Sequence, residues 1–313
     1  MGKGHRQDIT IRSFDGHDDL CQQPATRFTG TPDYFIMKPP IKYYGGKTCQ
    51  AKWILDVMNR YDFQSYIEPF GGSGAVLFAK EPSRLEVYND LYSDLVTMYR
   101  VLRHPRTYKQ LIRFVECTPY SRELFHEARQ RMDEKKLSDV ERAWIFFVLV
   151  RQSFSGVEKS WFTSSKAYMS RVTAAPTYFK AVDRLAEIHE RLKNVYIEHL
   201  DALDCIRKYA HATEEGCSLV YCDPPYVAHT RVAKNAYKHE YTDEQHEQLV
   251  TTLLTVPGHR MLSGYKSPIY QPLLDAGWTL ETKRFCCHSS RPKGGGKDYR
   301  TECLYCSPTE NLK

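Results

Sequence analysis

The sequence contains no apolar stretch long enough to cross a bilayer: the run Trp144–Val150 falls far short of the roughly 20 residues that a spanning helix needs. The opening residues MGKGHRQDIT lack the apolar core of a secretory signal, and Arg6 stands where a myristoylation motif requires Ser or Thr. A soluble, cytoplasmic protein without a membrane partner is therefore expected. Internal repeats and low-complexity blocks are also missing, and 42% hydrophobic with 26% charged residues is ordinary globular usage. That composition excludes collagenous, coiled-coil and wholly disordered chains. The cysteines are scattered apart from Cys286–Cys287 and the pair Cys303 and Cys306, and without a secretory signal they are expected to be reduced thiols. Cys303-Leu-Tyr-Cys306 has the spacing of a zinc-binding pair, but the segment reads as a strand, where residues three apart face opposite sides. No metal is expected.

Positive charge, by contrast, is present in excess and is unevenly placed. Lys plus Arg number 44 against 38 Asp plus Glu. Residues 151–180 carry five bases and one acid, 229–240 three and one, and 288–300 four and one. Positive charge focused on a few segments suits a polyanionic partner.

Residues 1–35 are polar and without periodicity, and read as a tail. From Ile36 the pattern changes. Ser65–Glu68 reads as a buried strand, followed by a glycine-rich turn and an apolar helix start at Ala75. Arg84–Tyr88 is a second strand and Leu91–Leu102 a second helix, so a βαβ unit and a parallel sheet are expected. A helical stretch follows over about 105–193, with a capping box at Ser138–Glu141 and an irregular centre, 151–175, that reads as loop or hairpin. Strands return at Val195–Glu198, Ser218–Cys222 and His259–Ser263, with a second capping box at Thr242–Gln245. The strands Thr279–Cys287 and Arg300–Cys306 close the chain as an antiparallel hairpin.

Chemistry concentrates in a few short segments. Glu68-Pro-Phe-Gly-Gly-Ser-Gly74 lets a ligand approach the backbone at the mouth of a parallel sheet. It has neither the closing Gly-Lys-Ser/Thr of a phosphate-binding loop nor a full Gly-x-Gly-x-x-Gly, so it lacks the parts that cradle a triphosphate or pyrophosphate. Asp90 ends the second strand, where a carboxylate can grip both hydroxyls of a ribose and can equally cap the helix that follows. Asp223-Pro-Pro-Tyr226 ends the apolar strand Leu219–Cys222. Two prolines fix an extended backbone whose carbonyls find no internal partner. One carboxylate, free carbonyls and an aromatic face suit a planar group bearing an exocyclic amine.

Together with Lys42-Tyr-Tyr-Gly-Gly-Lys47, these segments resemble the Dam-like family of adenine-specific DNA methyltransferases over about residues 38–306. The resemblance rests on KYYGGK, EPFGGSGAVLF, YND and DPPY in the family's order. It implies a Rossmann-like α/β methyltransferase sheet with a C-terminal antiparallel hairpin. The catalytic domain would be built from 36–97 and 194–313, with a helical target-recognition insert over 98–193. It further implies that Tyr43, Lys47, Glu68, Pro69, Phe70, Gly71, Gly72, Asp90 and Asp223 bind S-adenosylmethionine. Asp223, Pro224, Pro225 and Tyr226 would form the catalytic motif. Tyr43 stands where well-known members have tryptophan, and VLVRQSFSG departs from their recognition stretch, so the target sequence is not inherited.

The expected reaction is methyl transfer to the exocyclic amine of adenine in double-stranded DNA. The amine would donate to Asp223 and the Pro224 carbonyl while Tyr226 stacks on an extruded base. Arg151, Lys159, Lys166 and Arg171, interleaved with aromatics, and Arg231, Lys234 and Lys238, after the catalytic motif, are the candidate DNA contacts. Attack at cytosine carbon-5 needs a nucleophilic cysteine, usually after proline, and the chain has no Pro-Cys dipeptide. The cytosine exocyclic amine, a silent DNA-binding module, and RNA or a protein glutamine amide as acceptor are the competing readings. A bacterial or phage source and a cognate restriction endonuclease are further expectations of the resemblance.

Overall fold

The apolar runs pair into one eight-stranded sheet. In chain order the strands are β1 (Ser65–Glu68), β2 (Leu85–Asn89), β3 (Val195–Glu198), β4 (Ala212–Thr213), β5 (Gly216–Cys222), β6 (His259–Gly264), β7 (Thr279–Cys287) and β8 (Asp298–Cys306). They lie in the order β3-β2-β1-β5-β6-β8-β7, with β4 paired on β5. Pairing is parallel from β3 to β6 and antiparallel where β8 joins β6 and β7. This computed structural model describes residues 37–43, 45–162, 174–213, 216–230, 238–287 and 298–309. The expected tail, 1–35, lies outside them.

From β1 the chain moves to β2 and β3 on one side, then returns to place β5 and β6 on the other. The strand order therefore reverses between β1 and β5, whose register pairs Ser65 with Ser218 and Ile67 with Val220. Crevices at the carboxyl ends of strands at such a reversal are where open α/β sheets bind ligands.

The helices are α1 (Ala51–Met58), α2 (Ala75–Ala79), α3 (Ser93–Arg103), α4 (Pro105–Glu116), α5 (Arg122–Arg131), α6 (Asp139–Gln152), α7 (Ala174–Asp183), α8 (Leu185–Leu192), α9 (Ala202–Tyr209), α10 (Asp243–Thr255) and α11 (Gln271–Asp275). Ile67, Val87, Val220 and Leu262 of the sheet pack with Leu203 and Ile206 of α9 and Leu249 and Leu253 of α10. Burying each such side chain contributes about 1.5–3 kcal/mol. Both capping boxes form, at Ser138–Glu141 and Thr242–Gln245. The run Trp144–Val150 has no polar face because α6 is buried on every side from Ala143 to its end, packed on α3, α4 and α5. The expected boundary at 97/98 falls inside α3, which packs on β3 as well as on α6 and α8. After α6, a turn is closed by an antiparallel bridge between Ser153 and Trp161.

A buried ion cluster ties α8 to the sheet. Glu86 of β2 receives Lys80 at 2.6 Å and both terminal nitrogens of Arg191, which lies in the last turn of α8 and also donates to the Leu77 carbonyl.

Candidate active site

The carboxyl ends of β1, β2, β3 and β5 open into one cleft of about 970 Å³, part of it continuous with solvent. Tyr43 and Lys47 form one wall, and Glu68, Pro69, Phe70, Gly71 and Gly72 contribute the turn after β1. Asp90, Asp223 and Pro225 enter from the ends of β2 and β5. The sequence motifs, distant along the chain, thus share one cleft.

The glycine turn is built around two tyrosines and an asparagine. A Cβ on Gly71 would lie 2.2 Å from the Tyr88 ring, so only glycine fits there. The Tyr88 hydroxyl donates to the Gly72 carbonyl at 2.6 Å, and the Tyr99 hydroxyl to that of Ser73 at 2.7 Å. Asn89 ties the strand ends together: its amide donates to Pro69 O (2.9 Å) and Leu200 O (3.1 Å) and accepts from Leu200 N–H (2.8 Å).

Asp90 is held by two backbone donors, Gly72 N–H at 2.7 Å on Oδ2 and Tyr92 N–H at 2.8 Å on Oδ1. It fixes the glycine turn and the entry to α3 while its carboxylate still borders the cleft. Burial lifts its pKa, with the two N–H bonds opposing. Glu68 is pushed up to about 8, chiefly by burial, with the Tyr66 hydroxyl opposing from 3.0 Å.

Asp223 meets Lys47, with Nζ 2.8 Å from Oδ1. The two form a close ion pair at the cleft wall. Burial raises the Asp223 carboxyl although Lys47 opposes it. On Lys47 burial works downward, but Asp223 and Glu302 outweigh it and hold the ammonium charged.

Tyr226 sits behind this pair, only 4% exposed. Lys47 Nζ lies 4.6 Å from its ring centroid, Tyr265 meets it edge-on at 4.7 Å, and its hydroxyl donates to Glu302 of β8 at 2.6 Å. The ring presents no open face to the cleft, and Pro224 is likewise buried. Tyr226→Phe should therefore lower stability by about 1–3 kcal/mol, because Glu302 loses its buried donor. Denaturant titrations of Tyr226→Phe, Glu302→Gln and the double variant check this; strictly additive losses would mean the two groups do not interact.

The charged candidates divide. Lys238 lines the cleft, and Lys159 is exposed. Arg151 is a correction: in the last turn of α6 it is 6% exposed and donates to the Thr177 carbonyl at 2.8 Å, so its charge serves internal packing. Lys166, Arg171, Arg231 and Lys234 lie outside the described residues. Sequence reasoning missed Asp201, which borders the cleft after β3 and caps α9 through Leu203 N–H at 2.9 Å. Its signal was an acidic residue between a parallel strand and a helix, the same as for Asp90. Leu91, His239 and Tyr241 were also missed.

A parallel sheet that reverses order beside this cleft, closed by an antiparallel hairpin, defines a Rossmann-like methyltransferase. The profile of the D12 class N6 adenine-specific DNA methyltransferase family matches residues 43–270. The chain belongs to that family, and its activity is methyl transfer to the N6 amine of adenine in DNA. It is 26% identical over 233 residues to the type II methyltransferase M.MjaIII of Methanocaldococcus jannaschii, covering 68% of this chain and 78% of that protein. To the DNA adenine methylase of Escherichia coli K12 it is 26% identical over 216 residues, covering 67% and 73%. Adenine specificity decides against the cytosine amine. Among the described residues no helix is long and apolar enough to cross a membrane.

Proposed function

We propose that the cleft binds S-adenosylmethionine and that an adenine extruded from duplex DNA presents its amine to Asp223 and the Pro224 carbonyl. The observation that carries this reading is the convergence of Asp90 and Asp223, from strand ends on opposite sides of the sheet reversal, on one cleft. The donor set fits the cofactor. Asp90 suits ribose hydroxyls and Asp223 a cationic group, whereas Glu68, its carboxyl pushed up to about 8, suits a hydrogen-bonding group. The turn offers no phosphate cradle, as befits a nucleoside without phosphates.

When bound, the cofactor supplies an electrophilic methyl group on sulfonium sulfur. Asp223 accepts a hydrogen from the adenine amine, which favours a more tetrahedral nitrogen with its lone pair available. Lys47 fixes the carboxylate and opposes the upward pull of burial on it. The amine would act as a neutral nucleophile and give up its proton only after transfer, so Asp223 would orient it rather than act as a strong base. Tyr226 backs the motif from behind, its ring packed against Lys47 and Tyr265. Lys159 and Lys238, with the candidates outside the described residues, would contact phosphates. The insert over 98–193 would recognise the target. The likeness to a type II methyltransferase supports a cognate restriction endonuclease as partner.

Asp90→Ala should weaken S-adenosylmethionine binding by roughly 10- to 100-fold, since hydrogen bonds to a charged group are worth about 1.5–3 kcal/mol. Calorimetry on the folded variant is the test, and unchanged affinity would remove the cofactor assignment.

A further inference from the structure

The turn that follows α6 touches, at two places, segments that border the cleft. At the first, Gly156 takes φ +74°, and a Cβ there would lie 2.4 Å from the Lys42 carbonyl oxygen, so the turn is pressed against the segment that leads into Tyr43. At the second, Glu158 takes φ 58°, the only non-glycine residue with positive φ among those described. Such a backbone persists only where the surroundings over-determine it.

Those surroundings are specific. Glu158 N–H donates to Ser153 Oγ at 3.1 Å, and Arg129 donates to its carbonyl. Its carboxylate receives the Tyr92 hydroxyl, at 2.9 Å from Oε2 and 3.2 Å from Oε1. The same hydroxyl oxygen accepts from Lys238 Nζ at 2.6 Å, and that ammonium lies 4.1 Å from the Tyr92 ring centroid. Lys238 borders the cleft, and Tyr92 N–H is one of the two donors that hold Asp90. A chain of hydrogen bonds thus runs from the helical region through Tyr92 to the rim of the cleft. The mechanism above uses neither Glu158 nor the Tyr92 hydroxyl.

We propose that Glu158 is a positioning residue for cofactor binding: through Tyr92 it holds Lys238 and the segment after it against the cleft, making cofactor affinity depend on the turn at 153–161. This rests on the cofactor reading given above. Because coupling between sites is reciprocal, whatever displaces this turn changes cofactor affinity, and an occupied cleft favours the turn as seen.

The test is calorimetric titration of the full chain with S-adenosylmethionine, comparing Glu158→Ala, Glu158→Gln, Tyr92→Phe, Glu158→Ala/Tyr92→Phe and Asp90→Ala. Each of Glu158→Ala and Tyr92→Phe should lose about tenfold in affinity, and the double variant little more than either alone. Glu158→Gln still offers an acceptor oxygen and should retain most of the affinity. In steady-state assays KM for the cofactor should rise more than kcat falls, a split that general loosening of the fold would not give. Thermal melts establish that each variant is folded. Wild-type affinity in Glu158→Ala, or additive losses in the double variant, while Asp90→Ala still loses binding, would overturn the positioning role and leave the cofactor site standing. Wild-type affinity in Asp90→Ala as well would take down the cofactor reading, and this proposal with it.

Discussion

Asp223→Asn should slow methyl transfer by about 10²- to 10³-fold, the usual effect of removing one preorganised group that stabilises developing charge. The substitution keeps the shape of the side chain but replaces a charged acceptor with a neutral amide. Nitrogen attack places positive charge on the amine, so the lost charge matters most as the new bond forms. A second effect follows at Lys47, which is buried and would lose the carboxylate 2.8 Å away. Breaking a buried pair by removing one partner costs about 3–5 kcal/mol. Here the low end is expected, because the Gly45 carbonyl at 3.2 Å and the Tyr226 ring still face the ammonium. The two effects separate in Lys47→Met/Asp223→Asn, which should regain stability without regaining activity. Single-turnover transfer of labelled methyl groups to DNA, run beside denaturant titrations, measures both. A near-wild-type rate in Asp223→Asn would rule out the assigned role.

Glu86→Gln should cost about 3–5 kcal/mol of stability, because it leaves Lys80 and Arg191 buried around a neutral amide. Burial by itself would lift the Glu86 carboxyl, but Arg191 and Lys80 outweigh it and hold it below the usual value of 4.5. A folded-state pKa below the unfolded one gives stability that is full above pH 4.5 and is lost as pH falls through the folded value. The variant should therefore show a flatter acid limb as well as a lower denaturant midpoint. Replacing all three residues by apolar ones of similar volume should restore much of the loss. If Glu86→Gln matched the wild type at pH 7, the cluster would contribute nothing to the fold.

The features legible in the sequence are those decided within a few residues. Strand ends punctuated by Gly-Gly or Pro-Pro locate Glu68 and Asp223, the end of the next strand locates Asp90, and the two capping boxes fix the starts of α6 and α10. Val195–Glu198 and Thr279–Cys287 stand where alternation and turn residues put them. Partners brought in by the sheet were not legible. Nothing near Tyr226 announces that its hydroxyl rests on Glu302, because the register of β8 against β6 makes that contact. Arg151 was misread for a related reason. A local surplus of bases says nothing about which faces of a helix are covered, and the later turns of α6 are covered on all of them. By sequence Glu158 is only the lone acid in a basic stretch, whereas its backbone and carboxylate are fixed by residues from other elements.

α3 is a shared beam. One of its sides packs against β3, others against α6 and α8, and its first turn follows directly from the residue that closes the glycine loop. A recombination joint placed at residue 97 would cut through this helix and force two histories to agree on one set of packing faces. Grafts that exchange target specificity between relatives should instead keep α3 whole, together with Arg191, so that the borrowed helices arrive with the struts that seat them on the sheet.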